Sequence, residues 1–205
     1  MKKKDKLNYY KFLNSLPKKI NKLYFGKLIG KFKLNNKSSK KNGFDPVTNI
    51  DKALELFLRK EITKRFPKDG IIGEEFKTKK TKNGFSWILD PIDGTRSFVI
   101  GSPTWSNLIS INYNNEPTLG LVNFPMLKKY YITGANNNSY LVENNKFKKL
   151  KVKKTKSLNN SKALSILVTG SKPFFLLDLL FSLNLPFNFA KYNLFIFFGS
   201  EFKNL

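Results

Sequence analysis

The stretch Trp87-Ile88-Leu89-Asp90-Pro91-Ile92-Asp93-Gly94-Thr95 decides the reading of this chain. Phe85 to Leu89 forms an apolar run suited to a buried strand, and it delivers Asp90 at its end, where loops reach solvent. Pro91 fixes its own φ and removes a backbone donor, which stiffens the turn. Asp93 then follows closely enough for both carboxylates to face one point. Gly94 has no Cβ and lets backbone approach a ligand. A short helix is expected from Thr95 through Ile100, and its free N–H groups and dipole favour an anion. Two hard carboxylates beside such a helix start suit Mg²⁺ bridged to a phosphate. An Asx turn with a helix cap would account for Asp-Gly-Thr without any ligand.

Two further acidic motifs lie upstream. Gly73-Glu74-Glu75 follows a short Ile71-Ile72 strand, and its adjacent carboxylates repel unless a cation or lysine lies between them; a solvated charged turn is the plain alternative. Asp45-Pro46-Val47-Thr48-Asn49-Ile50-Asp51 sets Asp51 in the first turn of a helix, where its charge helps the helix regardless of function. Thr48-x-x-Asp51 resembles a capping box, with Asp in place of the usual Glu. Ile50, Leu54, Phe57, Leu58, Ile62 and Phe66 mark one face of that helix, which should end before Pro67. Nine of the fourteen acidic residues fall between Asp45 and Asp93, a gathering that points to a cation site. Glu55 and Glu61 are expected merely to offset local lysines.

The remaining composition narrows the chemistry. The 205 residues carry a net charge of +24, 40% are hydrophobic, and neither cysteine nor histidine occurs. That excludes disulfides, thiolate or histidine-ligated metals, a Ser-His-Asp triad and any histidine general base. Carboxylates, hydroxyls, amides, lysines and a hard metal remain. A strongly basic chain usually suggests nucleic acid or an anionic membrane, but only Arg59, Arg65 and Arg96 are arginines, and arginine is preferred for phosphate and base readout. Lysine and asparagine are spread along the chain, so no specific nucleic-acid partner is expected. No signal peptide follows Met1-Lys2-Lys3-Lys4. The apolar region Phe174 to Phe198 is interrupted by Asp178, Asn184, Pro186, Asn188 and Lys191, so no membrane span is expected and a cytoplasmic location is.

Along the chain, residues 5–32 read as helix, broken or kinked at Pro17, followed by a polar loop over 33–44. Residues 78–84 form a turn. Strands are expected at Trp105–Tyr113 and Thr118–Phe124, joined by Asn114-Asn115, and at Lys129–Thr133 and Tyr140–Glu143, joined by a Gly/Asn turn. Residues 148–160 read as a basic linker. A strand at 163–168, a helix at 173–183 and a strand at 187–192 follow. Layered sheets with helices fit this order, divided as a metal-binding α+β lobe over 1–150 and the start of an α/β lobe over 151–205.

Taken together, Asp45-Pro46-Val47-Thr48-x-x-Asp51, Ile72-Gly73-Glu74-Glu75 and Trp87 to Thr95, in this order and spacing, resemble the inositol monophosphatase family. Thr95-Arg96-Ser97-Phe98, Gly101 to Trp105, and Gly120-Leu121-Val122-Asn123-Phe124-Pro125 look most like its histidinol-phosphatase branch, which serves histidine biosynthesis. The resemblance implies an α/β fold, the layered αβαβα sandwich, and a Mg²⁺-dependent, lithium-sensitive phosphomonoesterase acting on a small phosphorylated metabolite, with a homodimer left open. It implies that Glu74, Asp90 and the Ile92 carbonyl bind one Mg²⁺, and that Asp90 bridges to a second held by Asp93. Thr95 and Glu74 would orient the attacking water, Asp93 and the amides of Gly94 and Thr95 would meet the phosphate, and Asp51 and Glu75 would stand behind them. The family's later Trp-Asp motif is not matched after Lys191-Tyr192. The chain therefore reads as truncated or frameshifted there, with its second metal site incomplete. A non-catalytic relative and a basic nucleic-acid-associated protein are the alternatives.

Overall fold

The computed structural model describes residues 1–31, 33–36 and 46–151. The expected elements at 163–168, 173–183 and 187–192, the lobe after Lys151 and Asp45 itself lie outside the described residues.

A 21-residue helix, α1 (Lys3–Leu23), opens the chain. It buries Tyr9, Leu13, Leu16, Pro17 and Ile20 on one stripe, which is the period that made it legible. Pro17 does not end it. Proline costs an interior helix one hydrogen bond, and burial of this face against the sheet outweighs that loss. The last turn widens into a π-helical segment, Tyr24–Leu28, closed by the Ile29 amide donating to the Tyr24 carbonyl at 2.8 Å. The regular helix thus stops short of residue 32.

Next come β1 (Leu34–Asn36) and β2 (Pro46–Thr48), an antiparallel pair inside and beside the region expected to be loop. Helix α2 (Asn49–Arg65) starts at a complete capping box: Thr48 accepts from the amides of Ile50 and Asp51, and Asp51 accepts from the Thr48 amide. Ile50, Leu54, Leu58 and Ile62 face the core, as the spacing predicts.

The remaining strands are β3 (Gly70–Gly73), β4 (Phe85–Asp93), β5 (Ser106–Tyr113), β6 (Glu116–Phe124), β7 (Lys129–Thr133), β8 (Ser139–Glu143) and β9 (Lys146–Lys149), with a short helix α3 (Thr95–Val99) between β4 and β5. They form one seven-stranded sheet in chain order, with β3 parallel to β4 and every later neighbour antiparallel. The Asn114-Asn115 and Asn144-Asn145 turns sit at φ of 50° and 66°, and 50° and 60°. Asparagine tolerates this left-handed region, and such turns match the twist of hairpin strands. β9 begins two residues before the expected basic linker and overlaps its start. Its four residues are all exposed, so no buried face marked them as a strand.

The core lies between α1, α2 and one face of the sheet. Tyr9 stacks on Phe66 and Phe85 at centroid separations of 4.3 and 4.4 Å, and Phe12 meets Trp87 edge-on at 5.6 Å. One polar group sits inside this cluster. Asp69 is 1% exposed and accepts from the Tyr9 hydroxyl at 3.0 Å, the Trp87 indole at 2.8 Å and the Asn83 amide at 2.8 Å. Burial and the neighbouring Asp69 charge push the Tyr9 phenol up, so it stays a donor. Asp69 thereby ties α1, β4 and the β3–β4 connection to one point. Among the described residues no helix is long and apolar enough to cross a membrane.

Replacing Asp69 by Asn leaves fewer acceptor sites facing the same donors and is expected to cost about 2–4 kcal/mol. Urea unfolding should show a lower midpoint with an unchanged slope. A midpoint equal to wild type would remove Asp69 from this role.

Candidate active site

Three chain ends converge at one edge of the sheet. Gly73 of β3 pairs in parallel with Leu89 of β4, so Glu74 and Asp90 are the next residues of two adjacent strands running the same way. β5 runs against β4 and begins at that same edge, with Ser106 opposite Asp93. The N-terminus of α2 lies there too, because the helix leads back through a short connection into the start of β3.

The strand β4 contains the decisive irregularity. Asp90 pairs with Leu108 and Asp93 with Ser106, so three steps on β4 match two on β5. Side chains alternate along a regular strand, and residues three apart would point to opposite faces. The extra residue is a β-bulge that cancels this alternation. Leu108 and Ser106 share a face of β5, so their partners Asp90 and Asp93 share a face of β4. Pro91, which has no amide to give to the ladder, is well placed in such a bulge. The Asn107 amide donates to the Pro91 carbonyl at 2.6 Å and holds the bulge from β5. Asn123 of β6 donates in turn to Asn107 at 2.8 Å and to Asn21 of α1 at 3.0 Å.

Beyond the bulge the chain turns sharply. Gly94 has φ 78° and ψ 44° and precedes α3. Thr95 donates its hydroxyl to the Ile92 carbonyl at 3.0 Å, and Ser106 donates to the Asp93 carboxylate at 3.2 Å. Underneath, Phe98 and Trp105 pack edge-on at 5.1 Å, and Tyr24 closes on Trp105 at 5.0 Å, so the π-helical end of α1 supports α3.

The carboxylates sense one another. Burial pushes Asp93 up to about 6, the Ser106 hydrogen bond opposes this, and the charge of Glu74 adds to it. Burial also raises Asp51, which is 2% exposed; its hydrogen bonds from Thr48 act the other way, and Glu74 again raises it. Glu74 therefore stands near both. Glu74 is exposed and Asp90 half-buried, while Glu75 is half-buried with its amide donating to Glu55 at 2.7 Å.

The donor set fits a hard cation: carboxylate and carbonyl oxygens, with no sulfur or imidazole. The Ile92 carbonyl keeps a second lone pair beside its bond from Thr95. Among the described residues no three acidic side chains are drawn together as a metal-holding group.

Two acidic residues of α2 have partners other than the expected lysines of their own helix, and two polar residues of β5 join the site without a sequence signal. Glu55 was expected only to offset lysines on its helix. It is fully buried, pairs with Arg59 at 2.7 Å and accepts the Glu75 amide. Glu61 pairs with Lys19 of α1, across helices. Ser106 and Asn107 carried no motif, and their roles follow only from pairing with the bulge. Glu55 did carry a signal: it is one helical turn after Asp51 and shares its face.

The model of the inositol monophosphatase family matches residues 6–173. The chain is 44% identical over 86 residues to the histidinol-phosphatase of Chlorobaculum parvum, covering 42% of this chain and 33% of that protein. It is 43% identical over 84 residues to the histidinol-phosphatase of Mycobacterium tuberculosis, covering 41% of this chain and 32% of that protein. Among solved structures, an IMPase/NADP phosphatase complexed with Mg²⁺ and phosphate superposes with a TM-score of 0.60 at 25% identity, covering 68% of this chain and 53% of that one. The matched region spans about a third of the length of these curated relatives and about half of the solved chain.

The left-handed backbone at Gly94 gives a direct test. A Cβ there would meet nothing closer than 3.8 Å, so only the conformation opposes it. Gly94→Ala should cost about 1–2 kcal/mol, and Gly94→Asn less. Equal denaturation midpoints for Gly94→Ala and wild type would refute the assigned turn.

Proposed function

The chain belongs to the inositol monophosphatase family, and within it we propose that it serves as a Mg²⁺-dependent phosphomonoesterase, with histidinol phosphate the favoured substrate and inositol monophosphate the next. The observation that carries this reading is the bulge that turns Asp90 and Asp93 to one face, at the sheet edge from which Glu74 also leaves. The histidinol-phosphatase names of two relatives support the substrate.

In this reading Glu74, Asp90 and the Ile92 carbonyl would hold one Mg²⁺, and Asp90 and Asp93 would contribute to a second. Bound there, Mg²⁺ supplies Lewis acidity that lowers the pKa of water and offsets charge on phosphate oxygens. Glu74 and the Thr95 hydroxyl orient the attacking water. The amides of Thr95 and of Gly94, the latter also donating to Asp93, would meet phosphate oxygens at the start of α3. Asp51 stays behind this set, fixed by Thr48, and contributes negative potential; Glu75 contributes through its backbone, which fixes the turn that bears Glu74. The small, hydroxyl- and carboxylate-based constellation needs no histidine, in keeping with a chain that has none.

Phosphate release from histidinol phosphate is expected to require Mg²⁺ and to exceed that from inositol monophosphate. Asp90→Asn should weaken Mg²⁺ binding and lower turnover by roughly a hundredfold or more, since both proposed metals share that carboxylate. The measurement is calorimetric Mg²⁺ titration alongside a phosphate-release assay. Equal Mg²⁺ affinity in wild type and Asp90→Asn, with no Mg²⁺-dependent release from either ester, would overturn the proposal.

A further inference from the structure

We propose that Glu55 and Arg59 of α2 form a positioning clamp that fixes the Gly73–Phe76 turn and thereby sets where Glu74 stands against Asp90 and Asp93. This rests on the metal-site reading above.

The clamp is an ion pair whose two halves grip consecutive stretches of one backbone. Glu55 is fully buried, and a buried carboxylate is tolerated only when paired and hydrogen-bonded. One of its oxygens accepts from the Arg59 Nε at 2.7 Å, and the other from the Glu75 amide at 2.7 Å. Arg59 donates through a terminal nitrogen to the Phe76 carbonyl at 3.0 Å, with its guanidinium 5.8 Å from the Phe76 ring centroid. The Glu75 amide and the Phe76 carbonyl, on the two residues that follow Glu74, are thus both held by α2.

Gly73 fits this arrangement for reasons of space. A Cβ built at Gly73 would fall inside the Glu55 carboxylate. The glycine before the two glutamates is the gap through which the helix reaches the turn. Asp51, Glu55 and Arg59 recur every four residues and so line one stripe of α2. The first of them is near enough to Glu74 for its charge to be felt. Helix α2 therefore addresses Glu74 twice, electrostatically through Asp51 and mechanically through Glu55. An exposed glutamate on an unsupported turn would hold no fixed place; this one is carried on a backbone anchored to a core helix.

The test uses the full chain and Mg²⁺ itself, with variants Glu55→Gln, Gly73→Ala and, as a stability control, Leu58→Ala. Amide hydrogen exchange should show loss of protection at Glu75 in Glu55→Gln and in Gly73→Ala. Calorimetric Mg²⁺ affinity should fall about 10–100-fold in both, the usual effect of removing a group that orients a metal ligand. Leu58→Ala deletes buried apolar surface on the same helix; it should lower the unfolding midpoint while leaving Mg²⁺ affinity within about twofold of wild type. In a Glu55→Ala background, Gly73→Ala should cost little further, because the carboxylate it displaces is gone. Unchanged Glu75 protection in Glu55→Gln would overturn the clamp. Lost protection with unchanged Mg²⁺ affinity, while Glu74→Gln weakens binding, would overturn its positioning role. No effect of Glu74→Gln on Mg²⁺ affinity would instead reject the metal-site reading, and the positioning role with it.

Discussion

Like charges brought together out of water repel, and this fold has to hold several carboxylates at one end of a sheet against that force. Asp51 and Asp93 are both pushed up by burial and by the charge of Glu74. What keeps them in place is backbone architecture. A bulge turns Asp93 to the side of Asp90. A capping box locks Asp51 to the first turn of α2. Ser106 and Asn107 hold Asp93 and the Pro91 carbonyl from β5, and the Glu55–Arg59 pair holds the turn beyond β3. A cation of the kind bound by a solved relative would relieve the repulsion these devices resist.

The rest of the molecule anchors those devices. At the far end of β3 and β4, Asp69 joins α1, β4 and the connecting loop within a stacked aromatic cluster. At the near end, Tyr24, Phe98 and Trp105 form a second aromatic group that fixes α3. Asn21, Asn123 and Asn107 connect α1 to the bulge through amide hydrogen bonds. Helix α1 therefore supports the candidate site although it contributes no acidic group to it.

Much of this was legible in the sequence because local chemistry announces itself. Thr48-x-x-Asp51 is a capping box whatever surrounds it, and Asn114-Asn115 between two apolar strands is a hairpin turn. The acidic motifs were legible as a set, by order and spacing, and their resemblance to the inositol monophosphatase family agrees with the match over residues 6–173. Long-range features were not legible. Pro17 reads as a helix breaker until the sheet buries it. β9 has no buried face to impose alternation. The bulge follows from the register of β4 against β5, which no single strand encodes. Glu55 looked like a surface charge on a lysine-rich helix, because burial of a carboxylate depends on partners twenty residues away.

The most direct measurement is the location of a cation in crystals. Crystals of the full chain grown with Mn²⁺, a scatterer that substitutes for Mg²⁺ in oxygen-rich sites, would be measured at the manganese absorption edge. The account predicts an anomalous peak within bonding reach of Glu74, Asp90 and the Ile92 carbonyl, with Asp90 turned toward it. Peaks confined to other parts of the surface, with that end of the sheet empty at saturating Mn²⁺, would contradict it.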